Sequence, residues 1–348
     1  KMKSVYCYML AGLMLSASSC SSWLSEDDAP VMSYDYYETE AGVNAAITAA
    51  YGFLRWGVGG ERFDVLTELG TDLFTEGEDG SNRESYNKYA TQLNPDDGIL
   101  YEMWENHYKG ISDANIAMQK IRDSQDLLES VKIQSYAEMQ FIRAYLYFDL
   151  VQQFGRIPLV TEGSFEIRTD FKRAPIADVY NVIISDLRNA AENLPEKASV
   201  LGRATRYSAA HLLAKVYLTR GSAVKDARGQ KAINSGAYAL QENFSSLWDI
   251  KNQGNSEAVF AVQFTTEPMF NGDGNKQHLY WLSWYEDQPG MLRDIENGRP
   301  YRRHVATKKT MDDLFDRLHD SRFYKSFKWV YYANNVSTLP VLESLSYH

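Results

Sequence analysis

Cysteine is nearly missing from this chain of 348 residues. It has two, Cys7 and Cys20, both at the extreme N-terminus. The body beyond Cys20 therefore holds no disulfide framework, no thiolate metal site and no thiol nucleophile. Blocks of lysine and arginine are missing too, and the formal net charge is −10. Such a chain repels a nucleic-acid backbone on average, so nucleic acid is not an expected partner. The histidines His107, His211, His278, His304, His319 and His348 form no HxxxH or HxH pair, which leaves a zinc site little support. A GxSxG elbow, a P-loop and a GxGxxG turn are all absent. No metal or cofactor is expected. Carboxylates are plentiful, and the acid and base of a glycosidase need a set separation in space that composition does not supply.

Long apolar runs are scarce as well. One lies between Val5 and Leu15, behind the basic head Lys1 and Lys3. It is too short to span a bilayer and leads through Ser16, Ala17, Ser18 and Ser19 to Cys20. This is the layout of a secretory signal peptide over 1–19, and a cysteine at its end resembles a bacterial lipobox. A lipobox usually carries Leu at the position of Ala17; here the nearest is Leu15. Acyl chains on Cys20 would add roughly 0.8 kcal/mol per buried CH₂, so several chains anchor stably where one does not. Residues 20–40 read as the lipid anchor and linker. Within them Glu26, Asp27 and Asp28 resemble the surface-export signal of some Gram-negative lipoproteins. Without residues 1–19 the chain carries 34 basic and 46 acidic residues, a net −12.

From residue 41 onward the dominant period is helical. Val43, Ile47, Ala50, Tyr51 and Leu54 mark a first helix with Thr39 as N-cap. Trp104, Tyr108, Ile111, Met118 and Ile121 mark a second. A third runs from about Leu128 to Phe154, carrying Ala137, Phe141, Ala144 and Phe148, and stops at Gly155 and Pro158. Pro175 suits the first turn of a fourth, with the stripe Val179, Ile183, Leu187, Ala190 and Leu194. Residues 206–220 make a fifth closed by Gly221, and a sixth follows near Gln230–Leu240. Small residues alternate with large ones, as Ala214 and Tyr217 do against Ala232 and Ala239, which suggests tetratricopeptide-like pairing. Stretches 56–62, 75–98 and 270–278 read as long loops, and Ala258 to Phe264 alternates as a strand should. The expected fold is mainly α: a tetratricopeptide-like helical scaffold, mainly 41–240, with a loop-rich ligand-binding region over 241–348, both within one domain.

Several segments stand in an order that is itself informative. After Cys20 and Trp23-Leu24 come Ala49-Ala-Tyr-Gly-Phe-Leu54 and Leu66-Thr-Glu-Leu-Gly-Thr-Asp72. Then come Trp104-x3-Tyr108-x2-Ile111-x2-Ala114-Asn115 and the long run Ala137-Glu-Met-Gln-Phe-Ile-Arg-Ala-Tyr-Leu-Tyr-Phe-Asp-Leu-Val151, continuing to Ile157-Pro-Leu-Val160. Ala204-Thr-Arg-Tyr-Ser-Ala-Ala-His-Leu-Leu-Ala214 and Glu257-Ala-Val-Phe260 follow. This set, from Cys20 to about Ser321, resembles the SusD/RagB family of nutrient-binding outer-membrane lipoproteins. Members of that family run longer, so the chain reads as C-terminally truncated. The resemblance implies a surface lipoprotein that is not an enzyme. It would capture oligosaccharides and pass them to a SusC-like TonB-dependent transporter. A peptide-binding or purely scaffolding partner of the transporter is the alternative reading, and a surface glycoside hydrolase a third.

Aromatic residues, 24 Tyr, 15 Phe and 7 Trp, supply the candidate site. Tyr280, Trp281, Trp284 and Tyr285 fall within six residues, followed by Glu286-Asp287-Gln288. Sugar faces stack on aromatic rings while their hydroxyls need carboxylates and amides nearby. Two or three such platforms correspond to micromolar to millimolar affinity, roughly −4 to −8 kcal/mol. The competing reading makes Trp281 and Trp284 core residues, since i, i+3 spacing would put them on one helix face. Tyr86 with Tyr89, and Trp56 beside Gly57 and Gly59-Gly60, are the further candidates. Trp104 occupies a regular helical position and reads as structural. Asn271-Gly-Asp-Gly-Asn275 faintly resembles a calcium loop but lacks the downstream acid, so an ordinary turn is the simpler reading.

Overall fold

The structure, a computed structural model, describes residues 39–77, 83–89, 93–164, 168–224, 239–267, 274–328, 330–335 and 337. Its frame is a series of helices. Helix α1 (Glu40–Gly52) begins where Thr39 Oγ1 accepts the N–H of Gly42 at 3.0 Å, and its buried stripe is Val43, Ile47 and Ala50. Short helices α2 (Arg55–Gly59) and α3 (Glu61–Thr67) occupy the stretch expected as a loop at 56–62. Gly60 in extended backbone separates them, so the glycines break a helix here rather than open a loop.

Four long helices follow. Helix α4 (Gly98–Asp123) is capped by Asp97, whose side chain accepts from Ile99 N, and ends on Lys120 and Arg122, which oppose the negative end of its dipole. Helix α5 (Glu129–Phe154) stops at Gly155, whose φ of 66° suits a residue without Cβ. Helix α6 (Ile176–Asn193) starts after Pro175, which sits at the N-cap rather than in the first turn. Helix α7 (Arg206–Val224) runs one turn past the expected stop at Gly221. Thr205 and Ser208 cap its start reciprocally, each N–H donating to the other's hydroxyl at 3.1 and 3.2 Å. The expected sixth helix lies mostly outside the described residues; Ala239 and Leu240 are described and are not helical.

Each of these long helices packs on the next, α4 on α5, α5 on α6 and α6 on α7, the stacking expected of tetratricopeptide-type pairs. Helix α5 is central. Met139, Phe141, Ile142, Ala144, Leu146, Tyr147 and Leu150 point all round it and all are at most 1% exposed. Gly110 lets α4 come close, since a Cβ there would stand 2.7 Å from Leu146 and 2.9 Å from Phe53. The polar members of the run Ala137–Val151 knit the same helices together. Arg143 donates twice to Asp186 at 2.8 Å, and to Asn115 Oδ1 at 2.7 Å and Thr161 O at 3.0 Å. Asn115 and Tyr147 both donate to Val160 O, tying the segment after α5 to the bundle.

Sheet is minimal among the described residues. Strand β1 (Phe74–Glu76) pairs antiparallel with β2 (His304–Ala306), Phe74 opposite Ala306 and Glu76 opposite His304. The expected strand at 258–264 is not a strand but irregular chain with a bend at Val259, and it joins no sheet among the described residues. Phe260 and Val262 still pack on the helical core, which accounts for the alternation, while Val259 O accepts from Ser208 and Gln263 O from Arg55.

Candidate functional site

The break between α2 and α3 receives the segment ahead of helix α8 (Gln277–Trp281). Lys276 N donates to Gly59 O at 2.9 Å, and Gln277 Nε2 donates to Gly60 O at 2.9 Å. A Cβ on Gly59 would stand 2.6 Å from the Phe264 ring and 3.2 Å from Gly274 O, so any larger residue there would have to push the ring aside. The chain then returns alongside α8, with Tyr301 N donating to Leu279 O and Arg303 N to Tyr280 O, each at 2.8 Å. The outcome is a cavity of about 510 Å³ between α2, α3, α8 and Arg303. Its size falls within the roughly 300–1,000 Å³ of small-ligand pockets.

Glu61 lies on its wall, 5% exposed, held by Arg303 Nη1 at 2.6 Å and Arg83 Nη2 at 3.5 Å. Its Oε1 has no partner among the described residues. The Arg303 guanidinium lies 5.5 Å from the Tyr280 ring and 4.9 Å from that of Tyr301, and those two rings stack at 5.9 Å. Beneath this layer His304 is fully buried, with neither ring nitrogen partnered among the described residues. Burial holds its pKa down to about 4. Asp64 on α3 is pushed up to about 6, by burial first, and its Oδ2 has no hydrogen-bond partner among the described residues.

The cavity brings together Trp56 and Tyr280 from the expected aromatic residues. Trp56 is half-buried, its edge contacts being Phe63 at 6.4 Å and His107 at 5.6 Å. Trp281 is also half-buried but faces the β1–β2 ribbon, 4.8 Å from Phe74 and 5.0 Å from His304, with Nε1 donating to Gln277. Trp281 and Trp284 do not share a helix face. Helix α8 ends at Trp281, Leu282 is extended, and half-buried Trp284 belongs to the following turn. Tyr285 is buried, stacked on Tyr331 at 5.1 Å, with its hydroxyl donating to Gly298 O at 2.6 Å.

Tyr86 and Tyr89 do not form a pair. Tyr86 is buried with its hydroxyl on Asp97, whereas Tyr89 is 69% exposed after a turn of backbone at φ 51°. Trp104 is half-buried against Phe154 and Tyr108, and it borders two other hollows of the surface. Cys20 lies outside the described residues, as does most of Asn271–Asn275. Glu61, Arg55, Arg83 and Arg303 escaped the sequence reading. Each is a single charge in an unremarkable context, and Glu61 and Arg303 are 242 positions apart. Among the described residues no group of three or more His, Cys, Asp or Glu is placed to hold a metal ion, and no helix is long and apolar enough to cross a membrane.

Comparison with known proteins accords with this architecture. The family model of SusD-like proteins, described as starch-binding and associating with the outer membrane, matches residues 31–218. SusD-like protein P2 of Formosa agariphila is 28% identical over 329 residues, covering 86% of this chain and 63% of that protein. A solved laminarin-binding SusD-like protein is 30% identical with a TM-score of 0.55, covering 63% of this chain and 50% of its own. A SusD superfamily protein from Bacteroides vulgatus shares the fold at a TM-score of 0.65 and 20% identity, covering 82% of this chain and 64% of its own. The chain thus spans between half and two thirds of the length of these relatives. With the helical stack and the family match both in place, the chain belongs to the SusD-like family of carbohydrate-binding proteins that associate with the outer membrane.

Proposed function

We propose that this protein is a non-catalytic, lipid-anchored glycan receptor on the cell surface, which captures oligosaccharides and hands them to a SusC-like TonB-dependent transporter. The observation that carries the reading is the cavity beside α8, where the rings of Trp56 and Tyr280 meet hydrogen-bonding side chains on a rigid helical frame. Rings offer the apolar sugar face a platform, and the charged groups around them orient it. The solved relative described as laminarin-binding supports a glycan as the ligand class. Glu61 is the single carboxylate among the described lining residues, and two arginines hold it. A glycosidase needs a second carboxylate roughly 5–10 Å away, which favours binding over hydrolysis.

A glycan array on the lipid-free protein tests this directly. Binding without release of shorter products is the expected result. Trp56→Ala should then remove most of the affinity while the protein still melts cooperatively. Trp281→Ala and Trp284→Ala serve as comparators: loss of binding in those two, with Trp56→Ala unaffected, would move the site to the other side of α8.

A further inference from the structure

We infer that the hollow along α4 beside Trp104 is a second glycan site, separate from the cavity beside α8. The inference rests on the glycan reading above and adds a second point of contact on the same chain. Two walls make the hollow, the outer face of α4 and the chain that follows α5, at 158–164 and 168–171. Its volume of about 430 Å³ again falls within the roughly 300–1,000 Å³ of small-ligand pockets. Tyr101, Trp104 and Tyr108 stand three and four positions apart, so α4 carries them on one face over about 10 Å, at 1.5 Å per residue. Trp104 and Tyr108 line the hollow with Pro158, Val160 and Phe171. Tyr101 lines the adjoining hollow, and Trp104 borders both. Core packing accounts for only part of these rings: Trp104 and Tyr108 are half-buried, whereas Phe171 is 48% exposed and Tyr101 62%.

The walls are fixed to each other by the protein's own bonds. The Tyr108 hydroxyl donates to Pro158 O at 2.6 Å, Asn115 Nδ2 to Val160 O at 2.9 Å, and Val160 N to the Tyr147 hydroxyl at 2.8 Å. A Cβ on Gly163 would stand 3.0 Å from Ile116 Cα, so the segment lies directly on α4. The rim is polar and mixed. The Ser112 hydroxyl donates and accepts, Glu162 accepts, and Arg168 donates. Arg168 is forked onto Asp170 by two bonds of 3.0 Å and lies 5.2 Å from the Phe171 ring, which places ring and guanidinium together. A floor of rings edged by both donors and acceptors suits a ligand with C–H faces and hydroxyl edges, which describes a sugar. An apolar peptide side chain would fill the floor and leave the rim unmatched. Trp56 of the first cavity packs on His107 of the same helix at 5.6 Å, so α4 supports both sites. A glycan long enough to reach both is held more tightly than either site holds it alone.

Calorimetry and hydrogen exchange test the proposal, with laminarihexaose, maltohexaose and any glycan retained on the array as probes. Trp56→Ala should keep residual binding, about tenfold weaker than that of the parent. The ligand bound to that variant should protect backbone amides in 159–164 and 168–171. Ser112→Trp fills the hollow and Phe171→Ala removes a ring, both at exposed positions where folding is not at stake. Either one, combined with Trp56→Ala, should abolish the residual binding. Each alone should leave hexasaccharide binding within about twofold and weaken binding of the corresponding polysaccharide about fivefold or more. Loss of all binding in Trp56→Ala, or residual binding indifferent to both further substitutions, overturns the inference and leaves the glycan reading standing. Protection of the two segments by a casein hydrolysate and by no oligosaccharide makes the hollow a peptide site and overturns the inference as well. Failure of the parent to bind any of the glycans overturns the glycan reading with it.

Discussion

Burial moves His304 and Asp64 in opposite directions. The folded pKa of His304 is lowered from 6.5 to about 4. Between those values the unfolded chain takes up a proton that the folded chain refuses, so this residue makes stability rise with pH across about 4 to 6.5. The folded pKa of Asp64 is raised from 3.8 to about 6. The folded chain there keeps a proton that the unfolded chain loses, so Asp64 makes stability fall as pH rises across about 3.8 to 6. The two slopes largely oppose each other in the native protein. His304→Leu should expose the aspartate's contribution, and the melting temperature should fall from pH 4 to 6 relative to the parent. Asp64→Asn should do the reverse. Thermal melts at several pH values check both, and curves parallel to that of the parent would show that neither group is buried as described.

Helix α5 gives the longest matching run a structural meaning. Its apolar residues fill the space between α4 and α6, while Arg143, Gln140 and Asn115 surround the carboxylate of Asp186 or its partner arginine. The run Ala137–Val151 therefore specifies helix packing, and none of its residues lines the cavity beside α8. Ala144 is fully buried in that packing. Ala144→Leu should overpack the interface and lower stability by about 1–3 kcal/mol. Denaturant unfolding should show an earlier midpoint at unchanged slope. An unchanged midpoint would mean that the helices accommodate the larger side chain, and that close approach is not why alanine stands there.

At the scale of the whole molecule the helical stack holds a polar cavity on one flank, and the proposed lipid holds the molecule to its membrane. Cys20→Ala should abolish acyl labelling and release the protein from outer-membrane fractions, because several acyl chains supply the affinity that a single chain does not. Labelling that survives the substitution would place the anchor elsewhere. Delivery to a transporter requires the cavity to face the exterior, and the acidic residues Glu26, Asp27 and Asp28 are the proposed export signal for that placement.

The helical frame was legible in the order of residues because helix formation is local. Apolar residues three and four apart report which face is buried, and Thr39 and Gly155 mark the ends whatever lies across the molecule. The same logic misled at 258–264, where alternation reports that Phe260 and Val262 meet the core but says nothing about a neighbouring strand. It failed at the tryptophans too, because i, i+3 spacing has meaning only while the helix lasts, and α8 ends at Trp281. The cavity is a long-range object. Glu61 meets Arg303 only because Gly59 and Gly60 break the chain between α2 and α3, the 274–277 segment docks into that break, and β1 pairs with a strand 230 positions later. No local pattern encodes that convergence. Charged side chains on a surface carry no periodic signal, and tertiary packing alone decided which of them meet.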